Sequence, residues 1–233
     1  AVRRKPDLVL GLATGSTPLL LYKEMIAACR DGLDFSRVRT FNLDEYYGLP
    51  PDHPQSYRKF MNDHLFSHLN LARENTRVPD GKTRDVAAHC AVYEAEMKAA
   101  GGVDIQILGI GSDGHIGFNE PASSLASRTR LVTLTPQTLS DNARFFASAD
   151  EVPRYALSMG IGTILEARTC LLLCFGANKA RAVRGAIEGG ISQFNPASAL
   201  QLHPDTRVYL DEEAAAELEL KEYYRWASEN RPQ

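Results

Sequence analysis

The chain is short of several things, and each shortage removes a class of function. No apolar run approaches the roughly 18–20 residues that a membrane-spanning helix requires, so no membrane partner is expected. Cysteine is scarce, with four residues in 233, at positions 29, 90, 170 and 174. Their spacing fits neither a zinc motif nor a secreted disulfide framework. Cys170 and Cys174 sit in the apolar run TCLLLCFG and read as buried small hydrophobes. Together with the lack of a signal-peptide pattern, this favours a reducing cytoplasm. Excess positive charge is missing too: 26 basic residues face 29 acidic ones, for a formal charge of -3. The cluster Arg3-Arg4-Lys5 is short and reads as a solvated end, so no nucleic-acid partner is expected. No His-x-Glu precedes a Pro-Cys-x-x-Cys, which excludes a zinc-type nucleobase deaminase. Internal repeats, low-complexity segments and clear linkers are likewise absent from the sequence.

What is there is an ordinary globular composition, 44% hydrophobic and 24% charged. The length suits one sizeable core. Apolar, β-rich runs at 8–12, 38–43, 104–109, 130–134, 169–175 and 207–210 are expected strands. Amphipathic stretches near 18–28, 57–68, 84–100, 179–188 and 212–226 are expected helices. Strand–helix alternation with continuously apolar strands argues for an α/β, Rossmann-like fold, a mostly parallel sheet with helices on both faces. One domain over 1–233 is the simplest organisation. Residues 136–158 are polar and mixed, punctuated by Pro136 and Pro153, and are expected to leave the sheet.

In open α/β sheets ligands bind beyond the carboxyl ends of the strands, and polar clusters fall there in this sequence. GLATGSTP, from Gly11 to Pro18, joins a strand to a helix. Thr14, Gly15, Ser16 and Thr17 combine close backbone approach with hydroxyl donors at a helix start, where free N–H groups bind phosphate. The lysine of a Walker A loop and the third glycine of a dinucleotide fingerprint are missing. The motif alone leaves a phosphate site and a plain helix start as open alternatives. FNLDEYYGL puts Asp44 and Glu45 at a strand end, where a carboxylate either caps a turn or, when partly buried, abstracts a carbon-bound proton.

GSDGHIGFNEP, from Gly111 to Pro121, brackets His115 with Asp113 and Glu120. A carboxylate on one ring nitrogen fixes the tautomer and frees the other nitrogen for proton transfer. Arg144 and Lys179 are the cations best suited to a phosphate, one as a fork of donors and the other as a point charge. His53, His64, His68 and His89 show no ligand spacing, and His203 reads as a helix-end residue.

With these motifs side by side, the chain resembles the glucosamine-6-phosphate deaminase family. The matching stretches are LGLATGSTP, FNLDEYYGLPPDHPQSY, LGIGSDGHIGFNEPASSLASRTR, RFF, VPRYALSMGIGTIL and SALQLHPDTRVYLDE. They run in order over nearly the whole chain. The resemblance implies conversion of glucosamine 6-phosphate and water to fructose 6-phosphate and ammonia, in amino sugar catabolism, with no metal or organic cofactor. It implies that Asp44 moves the proton from C2 to C1. It also implies that His115, with Asp113 and Glu120, opens the sugar ring. Thr14, Gly15, Ser16, Thr17, Arg144 and Lys179 fall where the family holds the 6-phosphate, and 136–158 matches a segment that covers the site.

Two departures from the family pattern stand out. Members carry one more strand and helix before the GLATGSTP strand, and this chain is expected to lack them. Members activated by N-acetylglucosamine 6-phosphate are similar to it at Ser123, Ser124 and Arg130, but have a lysine where Val132 stands here. Activation and the accompanying hexamer are therefore not expected, and a monomer is favoured over a homo-oligomer. Two rivals remain. A 6-phosphogluconolactonase-like hydrolase would share the fold and the DGH turn, though its pattern resembles GMGxDGHxASLFP and lacks GFNEP and DEYYGL. A non-catalytic sugar-phosphate-sensing domain would need no acid/base set.

Overall fold

The computed structural model describes residues 1–230. Its first half runs β1 (Val9–Leu12), α1 (Leu19–Arg30), β2 (Arg39–Asn42), β3 (Asp44–Tyr46), α2 (Tyr57–His64), β4 (Thr76–Arg77), α3 (Val86–Ala99) and β5 (Ile105–Gly109). The second half runs β6 (Arg130–Thr133), α4 (Pro136–Ala143), β7 (Tyr155–Ser158), α5 (Ile161–Leu165), β8 (Thr169–Cys174), α6 (Ala180–Ile187), β9 (Thr206–Leu210) and α7 (Lys221–Glu229). The main sheet has six strands in the order β4-β2-β1-β5-β8-β9, and every pairing is parallel. This is the mostly parallel α/β architecture read from the sequence. Among the described residues no helix is long and apolar enough to cross a membrane.

The period-2 geometry of a strand explains why these strands are apolar on both faces. Val9, Leu108 and Leu172 point to one side, against Tyr93 and Met97 of α3 and Val183 of α6. Leu10, Leu12, Ile107 and Leu173 point to the other, against Tyr22 of α1 and Met61 of α2. Full burial of such a side chain contributes about 1.5–3 kcal/mol. Helix starts are pinned by side-chain caps. Ser56 Oγ accepts from Lys59 N at 3.4 Å ahead of α2, Asp85 Oδ1 from Ala88 N at 3.0 Å ahead of α3, and Thr135 Oγ1 from Thr138 N at 3.2 Å ahead of α4.

Two expectations change, and a third holds. The strand expected at 130–134 forms as β6, but it belongs to a second, antiparallel sheet of order β3-β7-β6. Its alternating burial, half-buried then exposed, suits a sheet with one wet face. The polar segment 136–158 does leave the main sheet; it contains α4 and ends in β7 of the second sheet. The helix expected at 212–226 forms only as Lys221–Glu229. Asp211 explains the delay: its carboxylate accepts from Gly176 N at 2.9 Å and from Ala214 N at 2.7 Å. That holds the 211–219 segment as turns over the end of β8, with Ala214, Ala215 and Leu218 buried in the core. Helix propensity is a weak prior against such burial.

Strand order reverses between β1 and β5: β2 and β4 lie to one side of that pair, β8 and β9 to the other. A crevice opens at such a switch point, beyond the strands' carboxyl ends. The loops leaving β1 and β5 there are 13–17 and 110–120.

Candidate active site

Asp44 follows directly on the main sheet and opens the second one, pairing with Ser158 in an antiparallel ladder. Its side chain is buried and accepts no hydrogen bond from any described residue. Burial, reinforced by the neighbouring Glu45 charge, pushes its carboxyl up to about 8, against the opposing pull of His115. Glu45 turns the other way and caps α2: Ser56 Oγ, Tyr57 N and Arg58 N donate to it at 2.7, 2.9 and 3.0 Å. The two adjacent carboxylates thus divide into one satisfied anchor and one without donors.

Gly117 lies over Asp44 with φ +57. A Cβ there would stand 3.2 Å from Ser158 Oγ and 3.5 Å from Asp44 Oδ2, so glycine keeps the approach to the carboxylate open.

His115 lies one turn away in the loop after β5. Its Nδ1 is 2.7 Å from Asp113 Oδ1 and 3.6 Å from Glu120 Oε2. Burial disfavours the imidazolium, but the Asp113 hydrogen bond and the Asp113 and Glu120 charges outweigh it and hold the ring above its ordinary value. The same bond holds the Asp113 carboxyl low. The ring packs flat on the chain at Gly111, where a Cβ would come within 2.2 Å of Nδ1. With Nδ1 committed to Asp113, Nε2 is the nitrogen left for proton transfer. Asp113, His115 and Glu120 present ligand atoms all within 4.8 Å of one another, a spacing that a cation could bridge. An Nδ1 that donates to Asp113 has no lone pair left for a metal ion, so in that tautomer the set suits proton transfer.

The 13–17 loop leaves β1 through Gly15, at φ +90. Helix α1 starts at Pro18 with no side-chain cap and no acidic residue in its first turn. Among the described residues the N–H groups of Gly15, Ser16 and Thr17 find no acceptor. A capped helix start would have used its hydroxyls inward; this one leaves donors facing out, which favours the anion-site alternative.

Lys179 follows β8 in the short turn Ala177–Lys179 and is half-buried. Burial lowers its ammonium, Asp141 and Asp113 resist that, and the charge of Arg144 adds to it. Arg144, the C-cap of α4, stands 35 positions before Lys179 in the sequence, yet its charge is felt there. Arg144 is exposed, its guanidinium 4.7 Å from the Phe145 ring centroid.

The structure brings ligand atoms of Asp113, His115 and Glu120 within 4.8 Å of one another and sets Asp44 beneath Gly117 of the same loop, while Thr14, Gly15, Ser16 and Thr17 follow β1, Lys179 follows β8 and Arg144 ends α4. Three other histidines are held elsewhere: His89 accepts from Asp80 N, His68 bonds Asp63 O, and buried His203 bonds Ala167 O at 2.7 Å. Sequence reading missed Thr138, whose hydroxyl donates to Glu120 Oε1 at 2.5 Å. Nothing local to the TPQTL stretch signals that contact. Ser123 and Arg130 are joined, Arg130 Nη2 donating to Ser123 Oγ at 3.2 Å, and they line a cavity of about 410 Å³ with Val132, Glu120 and Thr135.

Known proteins resemble this chain closely. A glucosamine-6-phosphate deaminase of Hahella chejuensis is 56% identical over 223 residues, covering 95% of this chain and 85% of that protein. One of Shewanella loihica is 56% identical over 225 residues, covering 96% and 84%. A monomeric glucosamine-6-phosphate deaminase of known structure superposes with a TM-score of 0.90 at 49% identity, covering 93% of this chain and 90% of the other. The 6-phosphogluconolactonase of Trypanosoma cruzi shares the fold alone, with a TM-score of 0.74 at 22% identity over 94% of this chain and 87% of that one. The family described as glucosamine-6-phosphate isomerases/6-phosphogluconolactonase matches residues 1–209, and the chain belongs to that family.

Proposed function

We propose that the chain is a glucosamine-6-phosphate deaminase, releasing ammonia and fructose 6-phosphate from glucosamine 6-phosphate and water. The observation that carries this reading is Asp44, a buried carboxylate without hydrogen-bond donors, raised to about 8 beside an imidazole–carboxylate relay. A carboxylate so raised is a far stronger base than one in water, which suits abstraction of a carbon-bound proton.

In this reading the 6-phosphate binds the free N–H groups of Gly15, Ser16 and Thr17 together with Arg144 and Lys179. Binding energy far from the reacting carbons then orients them. His115 takes the proton of the C1 hydroxyl and returns one to the ring oxygen, opening the ring, while Asp113 and Glu120 stabilise the imidazolium formed in between. Asp44 then removes the C2 proton and delivers it to C1. The substrate's own ammonium at C2 lowers the Asp44 carboxyl on binding and keeps it ionised for that step. Water adds at C2, now at the ketone oxidation level, and ammonia leaves.

The relatives' identities support the substrate, and the monomeric structural relative supports a monomer. Val132 in place of a lysine supports an enzyme that N-acetylglucosamine 6-phosphate does not activate. Metabolic relatives support a cytoplasmic location, and the direct run from β2 of the main sheet into β3 of the second supports one domain with 136–158 as its cover.

The test is ammonia release from glucosamine 6-phosphate by the purified protein, with Asp44→Asn as control and N-acetylglucosamine 6-phosphate added or withheld. Release by the parent alone bears the reading out. A folded parent that releases no ammonia but hydrolyses 6-phosphogluconolactone would replace it with the lactonase reading.

A further inference from the structure

The steps above leave without a part a buried polar side chain that touches the relay, that of Thr138 in the first turn of α4. It is 4% exposed. Its hydroxyl donates to Glu120 Oε1 at 2.5 Å, and Thr135 N reaches the same oxygen at 3.3 Å. The other oxygen of Glu120, Oε2, is buried, accepts no hydrogen bond, and stands 3.6 Å from His115 Nδ1. A buried carboxylate oxygen without a donor is costly and would rotate towards one if free to do so. Here the opposite oxygen is held, so the carboxylate keeps its bare edge towards the imidazole.

The capping of α4 is a separate matter. Thr135 Oγ1 accepts from Thr138 N at 3.2 Å, so the Thr138 side chain is not the cap. Its hydroxyl hydrogen is committed to Glu120, while Thr135 Oγ1 donates to its oxygen at 3.1 Å. At the far end of the same eight-residue helix stands Arg144.

Resting on the deaminase reading, we propose that Thr138 is a positioning residue for the ring-opening relay: it fixes the rotation of Glu120 so that Oε2 faces His115. Because Thr138 and Arg144 ride on one helix, seating the phosphate at Arg144 and orienting Glu120 are mechanically joined. Thr138 touches neither substrate nor the reacting atoms and acts through Glu120.

The experiment compares Thr138→Val, nearly isosteric and with the α4 cap intact, with Thr138→Ser, in steady-state ammonia release by the full chain. Parent and Asp44→Asn are run alongside. The valine variant is expected to lose about tenfold or more in kcat, as small misplacements of catalytic groups do, with KM within about twofold. The serine variant is expected to recover most of that loss. A valine variant with parental kcat overturns the proposal, and so does a raised KM with intact kcat, which would make the residue a binding group. Equal impairment of the serine and valine variants overturns it as well, by tracing the effect to packing. A parent that releases no ammonia overturns the deaminase reading and this role together; an active parent matched by Thr138→Val overturns this role alone.

Discussion

The two sheets of this protein are built on opposite principles. The six-stranded sheet packs aliphatic clusters on both faces between helices, with a few buried polar side chains such as Thr40, Asn42 and Gln106, and its inner strands could exchange one aliphatic side chain for another of like volume at small cost. The three-stranded sheet is short, has one wet face, and buries Asp44, Glu45 and Ser158, with Asn119 of the neighbouring loop. Asn119 is fully satisfied: its Nδ2 donates to Ile116 O and Met159 O at 2.9 and 2.8 Å, and its Oδ1 accepts from Arg130 at 2.9 Å. Asp44 is not. The first sheet supplies stability and the second spends part of it on holding a charge where solvent would not. The difference teaches that stability and activity should respond to mutation in separate places.

Asp44→Asn is expected to break the comparison most visibly. Ammonia release should fall by about 10²–10⁴-fold or more, the range for loss of a positioned base. Stability should move the other way. A carboxyl raised to about 8 in the folded state takes up its proton more readily there than in the unfolded chain, where it titrates near the model value of 3.8. Its contribution to stability is therefore fully present below that unfolded value and is lost as pH rises through about 8. A neutral asparagine escapes that loss, so its melting temperature should exceed the parent's at pH 8 and not at pH 4. In the parent, kcat/KM should rise with pH through the Asp44 titration, a limb that Asp44→Asn removes. A melting temperature lowered at every pH would show that Asp44 is a structural anchor after all.

His115→Gln comes next. Ammonia release should drop by about 10²-fold or more, with circular dichroism unchanged. The defect should lie in ring opening, so unaltered ring-opening kinetics would remove His115 from that step. Leu172→Ala probes the other sheet. Leu172 is 2% exposed, and its truncation should cost about 2–5 kcal/mol in denaturant unfolding while kcat at low temperature stays near parental. A comparable loss of kcat would mean that the sheets are not separable. Gly117→Ala should show the smallest effect on folding, about 1–2 kcal/mol for a Cβ in the left-handed region, and a measurable fall in kcat from crowding at Asp44. Parental kcat would show that the 3.5 Å approach is immaterial.

Much of this was legible in the sequence. The apolar runs around β1, β5 and β8 identify themselves, because a strand buried on both faces has no polar alternation to blur it, whereas β9, an edge strand, shows itself by alternation. β3 and β7 do not, since they are short and their buried polar residues read as loop. β6 was visible as a strand but not as a member of another sheet. The 212–226 stretch misled because its alanines favour helix, while Asp211 holds it in turns from across the fold. At the site, the glycine-rich loops with their carboxylates and histidine were legible as chemistry. The tie between Thr138 and Glu120 was not, because it links two segments by a hydroxyl that any loop contains.

The sequence by itself determined the parallel core, the post-strand loops and the kinds of groups they carry, because periodicity and side-chain chemistry are local properties. Tertiary structure alone decided what those groups can do. Whether Asp44 is a strong base depends on burial and on the charge beside it. Whether Arg144 and Lys179 cooperate depends on how α4 and the turn after β8 are placed in space. Which edge of Glu120 meets His115 depends on a hydrogen bond across 18 positions. Proton affinity and orientation are set by distances through space and by exclusion of water, and neither is written along the chain.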